Sequence, residues 1–186
     1  KAVVVLFLLA SSGAAFAQTR PFMWVTKSDT ATVYLLGSMH AAQKDLYPLD
    51  ERIETAFSKA DALVVEVDET EINTQAQLQF AAKGMYPPGD QLDKHISAKL
   101  LEATDARFQK LGLPVPYKQF RPWMVATLLE LLTAQRLGFD PLIGIDMHFM
   151  GMAKGAKPII GLETAEQQIS IFTSLTDEEQ ELFLEY

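Results

Sequence analysis

An apolar run, Val33-Tyr34-Leu35-Leu36, stops at Gly37-Ser38-Met39-His40, and a second run, Ala62 to Val67, begins only after a stretch of different periodicity. Between them Ile53, Phe57 and Ala60 recur three or four positions apart, with Asp50, Glu51, Arg52 and Lys59 on the other faces. That spacing predicts an amphipathic helix. The second run is continuous and valine-rich, as a strand buried on both faces requires. Strand, helix and strand in this order predict a crossover unit with parallel strands. The chain is thereby constrained to an α/β plan, in which chemistry gathers beyond the carboxyl ends of strands.

The rest of the chain is read by its punctuation. Residues 18–30 form a polar lead-in with Pro21, Phe22 and Trp24, able to pair loosely against the first strand. Thr70 is placed to cap a helix running to Lys83, with Gly84 as its stop. Tyr86-Pro87-Pro88-Gly89-Asp90 is a turn, and a helix from Ser97 to Lys110, ended by Gly112, buries Leu100, Leu101 and Phe108. Pro114 and Pro116 keep the next linker extended. Pro122 suits the first turn of an apolar helix, Trp123 to Leu137, closed by Gly138. Asp146 is a capping residue for a short helix, Met147 to Lys154, and Lys157 to Gly161 is a short strand with Pro158 near its start. Thr176-Asp177-Glu178-Glu179 is a capping box for a last helix. The expected fold class is α/β, a partial mixed or parallel sheet with a helical middle section. With three strands evident and the last helix barely begun at Tyr186, a truncated fold is expected, part of a longer protein or a sheet completed by association.

Lys1, the apolar stretch Ala2 to Ala10, and the small-residue exit at Ala15-Phe16-Ala17 predict a signal peptide over residues 1–17. The stretch is short of the ~20 residues that a membrane-spanning helix needs, so no stable membrane span is expected after cleavage. A periplasmic or secreted location follows, with one α/β domain over residues 18–186 that is incomplete at its C-terminus. The chain has no cysteine, hence no disulfide, thiolate nucleophile or thiolate zinc site. A formal net charge of -8, with no Lys/Arg cluster to offset it, repels phosphate backbones, so nucleic acid is not expected as a partner. There is no P-loop, Gly-x-Gly-x-x-Gly, His-Glu-x-x-His or serine elbow.

Chemistry must then come from isolated side chains at strand ends. His40, three residues after Gly37, has an imidazole suited to metal ligation or general-base work, or simply to a hydrogen bond at a strand end. Glu66 lies inside Leu63-Val64-Val65-Glu66-Val67; buried in a central strand, its carboxylate would need a cation, a metal or a proton, whereas on an edge strand it would face water. Val64, Glu66 and Asp68 share one strand face. If the two strands are neighbours, His40 and Glu66 make half a divalent-metal site or a base with its orienting partner. Glu163 follows the third strand in the same relative place. Arg121, at a helix start, is a candidate clamp for a substrate carboxylate, a partner for Glu66, or an ordinary surface arginine. Asp146 is most simply a cap, His148 flanks the core, and His95 is expected to be exposed.

Trp24, Tyr34-Leu35-Leu36-Gly37-Ser38-Met39-His40, Tyr47-Pro48-Leu49, Ala62 to Val67, Pro122-Trp123, Gly144-Ile145-Asp146 and Gly161-Leu162-Glu163-Thr164 together resemble the TraB/GumN family. That family includes relatives of the Tiki proteins, membrane-tethered metal-dependent peptidases, and is distantly similar to the haem-binding ChaN and erythromycin-esterase group. The resemblance implies a mixed α/β core with a site built from a Gly-x-x-His, an acidic residue after the second strand, and a second Gly-x-x-His near the C-terminus. Gly37 and His40 match the first motif, Glu66 the acidic member, and Glu163 the Gly-Leu-Glu-Thr segment; no second Gly-x-x-His is present in this sequence. The function so implied is that of an exported, peptidase-like metal-dependent hydrolase acting on a peptide or other small substrate. Mn, Co or Zn would be held by His40, Glu66 and Glu163, with Arg121 as substrate clamp. The alternative is a non-catalytic periplasmic binding or accessory protein for a peptide or haem-like ligand.

Overall fold

A computed structural model describes residues 22–68, 73–112 and 114–186, together with the backbone of residues 2–7. In chain order the elements are β1 (Ala2–Phe7), β2 (Met23–Lys27), β3 (Thr32–Gly37), α1 (Glu51–Lys59), β4 (Leu63–Val67), α2 (Thr74–Gly84), α3 (Ala98–Leu111), α4 (Pro122–Arg136), α5 (Ile145–Ala153), β5 (Ile159–Glu163), α6 (Ala165–Thr173) and α7 (Asp177–Glu185). The chain is mixed α/β. It divides into two compact units, Lys1–Glu71 with Phe139–Thr164, and Ile72–Gly138 with Ala165–Tyr186.

In the first unit β3 is the middle strand of one sheet. β1 pairs with it in parallel, from Ala2 opposite Thr32 to Phe7 opposite Gly37. β2, the lead-in, pairs antiparallel on its other edge. A second, parallel ladder joins β4 to β5. The expected pairing of β3 with β4 is thus corrected: β1 and β2 occupy both edges of β3, and β4 takes β5 as its partner. β1 lies beside both β3 and β4. The residues of β1 are those read as the apolar part of a signal peptide; the cleavage point at Ala17 falls outside the described residues.

Helix α1 forms as its period predicts. Asp50 caps it, accepting from the Arg52 backbone N–H at 2.9 Å, and Ile53, Ala56 and Phe57 are buried. They meet Leu36, Leu63, Val65, Phe149 and Met150 in one apolar core. The carboxyl end of α1 is held from a distant segment: the Lys157 ammonium donates to the carbonyls of Phe57, Ser58 (3.2 Å) and Ala60 (2.6 Å). It also stands over the Phe57 ring, 4.5 Å from its centre. A cation at this place meets both the last carbonyls and the negative end of the helix dipole.

The second unit is helical. α2 begins at Thr74 behind the cap Asn73, whose side chain accepts from the Ala76 N–H at 3.0 Å; Thr70 lies outside the described residues. α3 runs from the cap Ser97 to Gly112, which adopts the left-handed φ of 70° that glycine tolerates at a helix end. Pro122 opens α4, and Trp123 and Val125 are fully buried. Both halves of the capping box of α7 form between Thr176 and Glu179. Those bonds hold the Glu179 carboxyl below its ordinary value. Helix α6 is absent from the sequence reading; its buried Ile169, and the Phe172 ring stacked on Trp123 at 5.1 Å, are its contribution to this unit.

Replacing Lys157 with Met keeps an unbranched side chain, one atom shorter, and removes all three bonds to the end of α1. The expected cost is about 1–3 kcal/mol. Urea unfolding should show a lower midpoint with an unchanged slope.

Candidate functional site

The loop that follows β3 is stitched to the segment that precedes α5, and this stitching places His40. Ala42 and Asp140 exchange backbone bonds of 3.1 and 2.9 Å, and the Ile145 N–H donates to the Met39 carbonyl at 2.9 Å. The Tyr47 hydroxyl adds a bond to the Ile143 carbonyl at 2.8 Å. Gly144 permits the close approach. A Cβ there would overlap the His40 carbonyl, with its carbon 2.7 Å away, and would sit 2.9 Å from the Met39 oxygen. Gly37 has a different use: its missing side chain makes room for the Phe22 ring.

Within this frame His40 lies between two carboxylates. Its Nδ1 is 2.7 Å from Asp146 Oδ2, and its Nε2 is 3.8 Å from Glu66 Oε2. The two acids differ in surroundings: the Asp146 side chain is 12% exposed, that of Glu66 44%. Burial is the largest influence on Asp146 and pushes its carboxyl up. The hydrogen bond from His40, the nearby Ser38 hydroxyl and the charge of His40 together outweigh it and hold the group below its ordinary 3.8. Ser38 is itself buried and reaches no full hydrogen-bond geometry. Asp146 is therefore an ionised acceptor, which obliges Nδ1 to carry the proton it donates. Glu66 faces Nε2 at the longer distance.

Several residues stand elsewhere than expected. Glu66 is not buried: Val64 and Val65 are 3% and 2% exposed, but the strand opens toward its carboxyl end. Asp146 is not a cap. Gly144 occupies that position, and Asp146 in the first turn faces His40. Glu163 pairs in register with Val67, so it projects from the opposite face of the β4–β5 ladder to Glu66. His148 flanks the core as expected, its ring 4.8 Å from that of Tyr47 and its Nε2 3.4 Å from Glu54 Oε1. Burial, then the charges of Asp146 and Glu54, raise the Tyr47 hydroxyl pKa.

Two further residues lie in the second unit. His95 is half-buried, not exposed; it stacks on Tyr86 at 4.3 Å, and its Nε2 is 2.9 Å from Asp90 Oδ2. Arg121 stands over the same Tyr86 ring, its guanidinium carbon 5.0 Å from the centre. Burial is the main reason that the Tyr86 hydroxyl is pushed up to about 12. Among the described residues no cluster of three or more His, Cys, Asp or Glu side chains is arranged to hold a metal ion. His40 Nε2 and Glu66 Oε2 are the sequence-predicted ligands that approach each other, at 3.8 Å.

The sequence pattern that defines the TraB/PrgY/gumN family matches residues 22–186. The chain belongs to the TraB/PrgY/gumN family. It is similar to the uncharacterized protein YbaP of Escherichia coli (strain K12), 32% identical over 161 residues, which cover 86% of this chain and 58% of that protein. YbaP of Shigella flexneri matches with the same identity and coverage. The chain thus spans less than two thirds of the length of these relatives. No solved structure matches it. In this TraB/PrgY/gumN chain the matched region contains both stitched segments, so the His40–Asp146 pair lies wholly inside the family's pattern.

The acid behaviour of Asp146 is open to measurement. Its folded pKa lies below 3.8, so the His40 bond contributes fully above the ordinary carboxylate value and is lost as pH falls through the lower folded value. In urea unfolding, the stability advantage of wild type over Asp146→Asn should hold at mildly acidic pH and shrink below the ordinary carboxylate value.

Proposed function

We propose that this TraB/PrgY/gumN chain is an exported, peptidase-like metal-dependent hydrolase that works through His40 and Glu66. One observation carries the reading: an imidazole oriented through Nδ1 presents Nε2 toward a solvent-accessible carboxylate 3.8 Å away. Two ligand bonds of ~2.0–2.2 Å to one ion can span that separation, and an imidazole paired with a carboxylate suits Mn, Co or Zn. A divalent ion bound there would supply Lewis acidity toward a substrate carbonyl and a more reactive water. The chain's own groups divide the remaining work. His40 offers the Nε2 lone pair, with the proton kept on Nδ1. Glu66 is a second donor or the base that accepts a proton from water. Glu163 faces away from Glu66 in the ladder and is left out of this pair. The exposure of both side chains leaves room for an extended peptide or another small substrate to reach them.

Export rests on residues 1–17 and would put the protein in the periplasm or outside the cell; among the described residues no helix is long and apolar enough to cross a membrane. A second reading is a non-catalytic binding or accessory protein for a peptide or haem-like ligand, to which the same exposed His40 and Glu66 side chains are open.

Metal titration by calorimetry, with metal content by mass spectrometry, tests the proposal. Wild type should bind Mn, Co or Zn, Glu66→Gln should bind more weakly, and His40→Ala should not bind. Peptide hydrolysis should stop on chelation. Wild type without bound metal, or ligand binding that survives chelation, would replace the enzyme with the binding protein.

A further inference from the structure

We infer that Asp146 is a positioning residue for His40: across the stitched loops it fixes which imidazole nitrogen bears the proton and which faces Glu66. The inference deepens the proposed function, although its first test needs neither metal nor substrate. An imidazole flanked by two carboxylates could turn its N–H toward either. The distances decide between them. At 2.7 Å Asp146 is within hydrogen-bond reach, while Glu66 at 3.8 Å is beyond it. Solvation acts in the same direction. Asp146 is largely withdrawn from water and depends on protein donors, whereas the Glu66 side chain is 44% exposed.

The backbone makes the choice rigid. Asp146 sits in the first turn of α5, one residue after the Ile145 N–H that holds Met39 and two after Gly144, against which the His40 carbonyl packs. Met39 is therefore bonded to the start of the helix that carries the acceptor, and the His40 carbonyl packs against the residue that precedes it. The backbones that carry His40 and Asp146 cannot separate without breaking these ties. An imidazole so held keeps Nε2 unprotonated in its neutral form, which is the state a metal ligand or a general base needs.

The amide of Asn differs from a carboxylate in one decisive way: it can accept from Nδ1–H through oxygen or donate to a bare Nδ1 through nitrogen. Asp146→Asn should therefore preserve the packing while removing the preference. The readout is the nitrogen chemical shifts of the His40 ring, measured at mildly alkaline pH where imidazole is neutral. Wild type should show the Nδ1–H form alone, Asp146→Asn a mixture of both forms, and Asp146→Glu a return toward the wild-type form. Glu66→Gln should leave the pattern unchanged. Where wild type binds Mn or Co, Asp146→Asn should weaken that binding about 10- to 100-fold. An unaltered Nδ1–H form in folded Asp146→Asn would overturn the inference. Failure of wild type to bind metal would overturn the proposed function and leave the ring measurement standing.

Discussion

The site depends on one hydrogen bond, from the His40 ring to a carboxylate that is nearly buried. A charge withdrawn from water costs several kcal/mol unless donors replace its hydration. His40 is the principal donor, and Ser38 lies close by. The dependence runs in both directions. Asp146 remains ionised because His40 reaches it, and His40 is oriented because Asp146 remains ionised. Neither is free to drift, since the two backbone segments are tied at Ala42–Asp140 and Met39–Ile145.

Gly144 is the steric counterpart of that bond. Its contact with the His40 carbonyl is backbone against backbone, which no rotamer change can relieve. Gly37 looks similar in sequence but faces the end of a flexible side chain, Phe22, so the same substitution there can be absorbed by a ring movement. The two glycines of the site are thus not equivalent. The glycine of the Gly-x-x-His motif serves packing near the lead-in strand, and the glycine before α5 sets the geometry of the imidazole.

Elements with local signals were legible in the sequence. The three-to-four spacing of Ile53, Phe57 and Ala60, the Ser97 and Gly112 boundaries of α3, Pro122 at the start of α4 and the Thr176–Glu179 box each act within a few residues. Each appears where the pattern placed it. Helix α6 has a local signal too, Thr164 followed three residues later by Gln167, but its apolar residues Ile169, Ile171 and Phe172 are too closely spaced to set out a helical period. Pairing was less legible, because it depends on residues far apart. Asp146 is 106 positions from His40, and an aspartate before a helical run reads as a cap unless its distant partner is known. His95 reads as exposed from its polar neighbours; the Tyr86 ring that covers it comes from across a turn. The sidedness of Glu163 follows only from the register of β5 on β4.

Residues 2–7 show how one sequence can satisfy two demands. An Ala-Val-Val-Val-Leu-Phe run is what an export signal needs in its apolar part, and it also has the β-branched character that favours a strand. Its backbone completes the parallel edge of β3 and lies beside β4. If the proposed cleavage after Ala17 occurs, that edge of β3 loses its ladder while β2 stays on the other. An exposed strand edge recruits another strand, so the mature protein would have to cover the β3 edge in some other way. The stitched loops would be untouched by the exchange. The backbone bonds Ala42–Asp140 and Met39–Ile145 and the Tyr47 bond to Ile143 all join residues 39–47 to residues 140–146, and none of them involves β1. These ties between the two loops do not depend on which strand lies beside β3.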